Sequence, residues 1–249
     1  MPILLSHSLI IFRRTDLVGK LSLWLCGGVI LASLVPGAWR YTRAPRVWAA
    51  NTVPVAFWAW RTNAPSEDAL QRAAREARAR VLFLRAGQID YEDATPRRIR
   101  PMQGEFPRAL EIHLVYNATR SLLESFERVE SEQLAALLVE TYMKDMERAA
   151  RDGAKVIGIQ LDIDVPTRLL KRYEEVLRSI RAGLPPGTSL SITGLPTWML
   201  SSELSAVLEQ VDFWIPQFYG AEIPDHMEKR VPISSPAIVA RDVARARTR

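Results

Sequence analysis

From residue 53 onward the chain alternates short apolar runs with longer amphipathic stretches of helical period. Residues 53–60 (VPVAFWAW), 81–84, 112–116, 156–164, 189–195 and 211–219 are short, rich in β-branched and aromatic side chains, and predict six strands. Residues 66–80, 131–151, 168–182, 202–209 and 237–247 predict helices. Ser66 stands where a cap belongs, and Glu67 and Asp68 suit the positive end of the first helix dipole. Gly153 is placed to end the second helix, and Gly183 with Pro185-Pro186-Gly187 to end the third. Between the second and third strands, TPRRIRPMQGEFPR shows little regular pattern and predicts a loop.

Strand–helix alternation with short connections predicts an α/β fold with a parallel sheet. An open doubly wound sheet would carry a glycine-rich phosphate loop after its first strand; here Trp58, Trp60 and Arg61 stand there instead. A (β/α) barrel of the TIM type fits better. After the sixth strand come Pro224, Pro232 and Pro236 and one more helix, so the expectation is a barrel truncated after its sixth strand–helix unit.

The first part of the chain follows another rule. Residues 21–39 carry no charge, a run long enough to cross about 30 Å of hydrocarbon as a helix. Arg13, Arg14 and Lys20 precede it, as in a signal sequence or signal anchor. Residues 1–46 are therefore expected to be a membrane anchor or export signal. Residues 47–249 would form the barrel domain, placed at the cell membrane or in the periplasm or beyond. Cys26 lacks the small preceding residue of a lipoprotein signal, and Asp16 disrupts a twin-arginine pattern.

Composition narrows the classes. The net charge of +5 is gathered at the two ends of the chain, so no nucleic-acid partner is expected. One cysteine excludes an intramolecular disulfide, and three scattered histidines predict no metal site and call for no cofactor. Oligomeric state is not legible.

The chemistry concentrates in the fourth strand, Val-Ile-Gly-Ile-Gln-Leu-Asp-Ile-Asp. A two-residue period puts Ile157, Ile159, Leu161 and Ile163 under the helices. It turns Gly158, Gln160, Asp162 and Asp164 towards the barrel interior. Two carboxylates two residues apart have Cα atoms roughly 6.5–7 Å apart, and their shared field should raise one pKa. An acid beside a carboxylate suits protonation of a glycosidic oxygen and support of a cationic intermediate. Gln217 and Tyr219 share a face of the sixth strand, and Thr193 lies on the fifth. Trp58, Trp60 and Trp198 offer flat faces for sugar rings. Glu111, His113 and Asn117 share a face of the third strand, with His113 read as an interior histidine rather than a proton carrier.

The motifs Gly-Ile-Gln-Leu-Asp-Ile-Asp-Val-Pro, Leu-Ser-Ile-Thr-Gly-Leu-Pro-Thr-Trp and Val-Asp-Phe-Trp-Ile-Pro-Gln resemble the bacterial domain of unknown function 3142 family, over residues 53–217. That resemblance implies a barrel in the cell envelope and no defined reaction. A more distant similarity is to family 18 chitinases, whose fourth-strand Asp-x-x-Asp-x-Asp-x-Glu falls on Ile157, Gln160, Asp162 and Asp164. Their sixth-strand Met-x-Tyr falls on Gln217 and Tyr219. Only Asp162 and Tyr219 are identical, and the acid is shorter by one methylene.

The expectation is a glycoside hydrolase-like barrel acting on or binding an unknown polysaccharide. Asp162, Asp164 and Tyr219 would be catalytic, with Gln160, Gln217, Trp198, Trp58 and Trp60 binding substrate. The alternative is a non-catalytic glycan-binding protein or an inactive truncated relic. A metal-binding Asp-x-Asp of a glycosyltransferase would need a nucleotide-binding half that this sequence does not show.

Overall fold

The computed structural model describes residues 55–218 and 236–246. The expected N-terminal anchor and Tyr219 lie outside the described residues. Among the described residues no helix is long and apolar enough to cross a membrane.

Strands β1 (Ala56–Ala59), β2 (Val81–Glu92), β4 (Glu111–Ala118), β5 (Val156–Asp162), β6 (Ser189–Gly194) and β7 (Phe213–Pro216) lie side by side in chain order, each parallel to the next. A doubly wound sheet would reverse its strand order at a switch point; this order never reverses, which is the barrel arrangement. Helices α1 (Glu67–Glu76), α2 (Arg120–Ser125), α3 (Ser131–Arg151), α4 (Leu170–Gly183) and α5 (Leu204–Leu208) follow their strands, and α6 (Pro236–Ala246) comes last.

One sheet face carries the apolar load. Leu82, Leu84, Ile112, Leu114, Tyr116, Ile159, Leu161, Ile163, Leu190 and Ile192 are buried in one cluster. Leu134, Leu138 and Tyr142 of α3, Tyr173, Leu177 and Ile180 of α4, and Leu204 and Val207 of α5 complete it. Each such side chain contributes about 1.5–3 kcal/mol on leaving water, so the alternation along the strands decides which face meets the helices.

Local signals work as the sequence suggests. The Ser66 hydroxyl accepts from the Ala69 amide at 3.4 Å to cap α1. Gly153, at φ +78°, turns the chain out of α3. Its amide and that of Ala154 donate to the Ala150 and Ala149 carbonyls, which satisfies the last turn.

The segment expected to be an irregular loop is partly strand. β2 runs eight residues beyond its expected end, with a register shift between Arg85 and Gly87, and β3 (Thr95–Ile99) folds back antiparallel onto it. Asp93 and Ala94 form a two-residue turn with φ of 51° and 58°. Such turns normally announce themselves with glycine or asparagine, and alanine here hides the hairpin.

A buried charge cluster pins this hairpin to α3. Arg98 donates to both carboxylate oxygens of Asp145 at 3.1 and 2.7 Å and to the Ala86 carbonyl at 2.6 Å. The Tyr116 hydroxyl donates to the same carboxylate at 2.8 Å. A Cβ at residue 87 would lie 2.7 Å from Arg98 Nε, so glycine there makes room for the guanidinium. Removing one partner of a buried pair strands the other. Asp145→Ala should therefore cost about 3 kcal/mol in urea unfolding, and a cost below 1 kcal/mol would show that the clamp is not structural.

Candidate active site

The opposite face of the sheet collects polar and aromatic groups in layers set by the strand register. Trp58 pairs with Phe83, Phe83 with His113, and His113 with Gly158. Two residues further on, Val115 pairs with Gln160 and Gln160 with Ser191. Beyond these, Asn117 pairs with Asp162.

The lowest layer is an aromatic floor. Trp58 stacks on Phe83 at 4.4 Å and Phe83 on His113 at 5.0 Å, while Phe213 meets the imidazole edge-on at 5.5 Å. A Cβ on residue 158 would lie 2.5 Å from the Ser189 carbonyl and 2.6–2.7 Å from the imidazole, so only glycine admits His113 there. Burial lowers the His113 pKa to about 4, against the opposing pull of Asp212 and Glu111. The ring is neutral at pH 7 and forms part of the interior.

Gln160 governs the next layer. It is fully buried, accepts from Trp58 Nε1 at 3.1 Å and donates to Ser191 Oγ at 3.3 Å. The expectation that it touches substrate gives way to a positioning role, because its amide is spent inside the protein. Trp58 likewise gives one ring face to Phe83. Trp198 is wholly buried, its Nε1 donating to the Val165 carbonyl at 2.9 Å and its ring beside Tyr173, so it belongs to the core and is no sugar platform. Of the three tryptophans, only Trp60 stands well exposed, at 49%.

The carboxylates occupy the rim. Asp162 closes β5, and its Oδ1 accepts from Thr193 Oγ1 at 2.7 Å and from Gln217 Nε2 at 3.5 Å. Asp164 lies two residues past the strand end, at the exposed side, where Gln217 also hydrogen-bonds its carboxylate. One amide therefore serves both acids. Burial raises the Asp162 pKa, with the Thr193 hydrogen bond opposing. Burial also raises that of Asp164, the Asp162 charge adds to the rise, and Gln217 opposes it. Sequence reasoning expected one raised acid; both are raised, because burial acts on each carboxyl and the Asp162 charge adds to it at Asp164. Ile163, between them, is buried under the helices, as the strand period requires.

Two partners were less legible. Tyr173 on α4 has a buried hydroxyl without a hydrogen-bond partner among the described residues, and both aspartates help to raise its pKa. Arg85 sits in the interior near the rim, donating to Asn117 Oδ1 at 3.2 Å and Thr62 Oγ1 at 3.4 Å. A cleft of about 720 Å³ lies elsewhere, lined by residues 63–65, Glu67 and residues 103–108, and includes neither aspartate. Among the described residues no three acidic, histidine or cysteine side chains converge on a metal position.

A carboxyl whose pKa is raised in the folded state binds a proton more tightly there than in the unfolded chain. Stability therefore falls as pH rises through that window, and the penalty is absent below the unfolded pKa. Asp162→Asn should raise the urea midpoint at pH 7, with the gain vanishing near pH 3. A loss of stability at pH 7 would contradict a desolvated carboxylate.

No curated protein matches the chain in sequence. Among solved structures, the spore cortex-lytic enzyme SleL of Bacillus cereus is similar with a TM-score of 0.51 and 16% identity, over 78% of this chain and 47% of that one. The chitinase of Chromobacterium violaceum gives 0.55 and 12%, over 79% and 65%. SleL of Bacillus megaterium gives 0.50 and 12%, over 80% and 49%. These likenesses are of fold: an α/β architecture whose six parallel strands resemble part of a TIM-like barrel. The chain spans between 47% and 65% of the length of these structures. Residues 127–226, which hold both aspartates and Gln217, match the family described as Domain of unknown function (DUF3142), the family that the strand motifs resemble.

Proposed function

We propose that this protein is a glycoside hydrolase-like barrel of the bacterial cell envelope that acts on a polysaccharide. The observation that carries this reading is the pair Asp162 and Asp164 at the rim of one central strand, spanned by Gln217, with both pKa values raised. The fold likeness to a chitinase and to cortex-lytic enzymes supports the substrate class. The uncharged run of residues 21–39 behind three basic residues supports export or anchoring in the membrane.

In this reading Asp164, at the exposed end, donates its proton to the glycosidic oxygen. Asp162, deeper and held by Thr193, is the ionised partner that stabilises positive charge developing on the sugar. Gln217 fixes the two carboxyl groups relative to one another, and Trp60 is the exposed aromatic face available to a sugar ring. Tyr219, outside the described residues, keeps its proposed catalytic place from the Met-x-Tyr resemblance alone. A second reading, a non-catalytic glycan-binding protein, is favoured by Gln160: it occupies a chitinase aspartate position and is committed to Trp58 and Ser191.

The test is turnover of soluble glycans, including chito-oligosaccharides and peptidoglycan fragments. Asp164→Asn should lower the rate about 10²–10⁴-fold. A general acid must be protonated, so activity should fall as pH rises through the Asp164 pKa. Asp162→Asn should lower the rate and also move that alkaline limb to lower pH, by only part of the rise, since burial remains. Turnover that survives both substitutions would place the chemistry elsewhere, and binding without turnover would favour the second reading.

A further inference from the structure

Arg85 is 92% withdrawn from solvent by its 8% exposure, yet its hydrogen-bond partners are neutral: Asn117 Oδ1 on Nε and Thr62 Oγ1 on Nη1. Among the described residues it forms no ion pair. Asp90, on the same strand, is engaged by Thr119 at 2.7 Å and Arg97 at 3.3 Å. Asp145 is taken by Arg98 and Tyr116. Asp162 is held by Thr193 and Gln217.

A buried guanidinium normally finds a carboxylate, because desolvating an unpaired cation is costly. Here the neighbouring charge has the same sign: Arg100 adds to the desolvation that lowers the Arg85 pKa. Nη2 is not among the buried side-chain atoms that lack a partner, so it is not sealed in the core. The group is placed as an anion site would be, with two of its nitrogens anchored by neutral acceptors and the outer edge of its fork left over.

Position gives the site its meaning. Arg85 lies on the inner face of β2, one strand from Asn117, and Asn117 pairs with Asp162. On the other side, Trp60 follows Ala59 as Arg85 follows Leu84, and Ala59 pairs with Leu84. Trp60, Arg85, Asn117 and Asp162 thus stand on the successive strands β1, β2, β4 and β5 or just past their ends, and Gln217 follows β7, with β6 between. An exposed aromatic residue that stands level with a cation on the next strand fits a sugar that carries its own negative charge.

We propose that Arg85 binds the carboxylate of an acidic sugar residue. This rests on the glycan reading above and narrows its substrate class to acidic polysaccharides. A planar carboxylate matches the free edge of the planar fork.

The test compares two probes on the full chain by calorimetry: an oligogalacturonate and its carboxyl-reduced, neutral counterpart of equal length. The acidic form should bind about tenfold tighter or more. Arg85→Gln should abolish that preference, while Arg85→Lys, which keeps the charge without the planar fork, should retain part of it. Far-UV circular dichroism checks each variant; if Arg85→Gln does not fold, the lysine variant and the wild type decide. Asp164→Asn should keep the full preference, so a failed acid pair and a failed anion site are told apart. Equal affinity for the two probes, binding of neither, or an unchanged preference in a folded Arg85→Gln would overturn the assignment.

Discussion

Everything at the rim depends on the two-residue alternation of β5. Ile159, Leu161 and Ile163 are fully buried under the helices, and that burial fixes the strand's rotation about its own axis. A slip of one residue would put Gln160 and Asp162 into the apolar layer and expose three isoleucine or leucine side chains. The hydrophobic effect, acting on residues with no chemistry of their own, therefore aims the carboxylates.

The inner face is the costly side of that bargain. His113, Gln160, Ser191 and Thr193 are buried polar groups. Gln160 and Thr193 have side-chain partners, and His113 is kept neutral by burial. Gly158 matters here because the imidazole and the Ser189 carbonyl both occupy the space a side chain would need. The floor is thus closed by aromatic contact, while the rim keeps carboxyl groups, an amide and a guanidinium. Burial raises both acids at the end of β5 and lowers the arginine on β2.

Much of this was legible in the sequence because strand parity is a local rule. The alternation from Ile157 to Asp162 gave the central strand and the face that carries Asp162, whereas Asp164 and Gln217, expected on strands, lie just past the ends of β5 and β7. The hairpin of β2 and β3 was missed because Asp93-Ala94 adopts a turn that usually needs glycine. Trp198 and Gln160 were misassigned for a different reason: residue type says what a side chain could touch, but burial is decided by tertiary packing. Trp198 follows β6 on a short 3-10 turn that carries it into the α4 layer beside Tyr173. Arg85 drew no attention because a single arginine in an apolar run has no periodic signature, and its lack of an acidic partner is visible only in three dimensions.

Asp162 and Asp164 are coupled: burial raises both carboxyls, and the Asp162 charge raises that of Asp164 further. Carboxyl-carbon NMR titration of the wild-type chain measures this directly. Both groups should titrate above the unperturbed value of about 3.9, and replacing Asp162 by Asn should lower the midpoint of Asp164. Two independent titrations near the unperturbed value, with Asp164 indifferent to its neighbour, would contradict it.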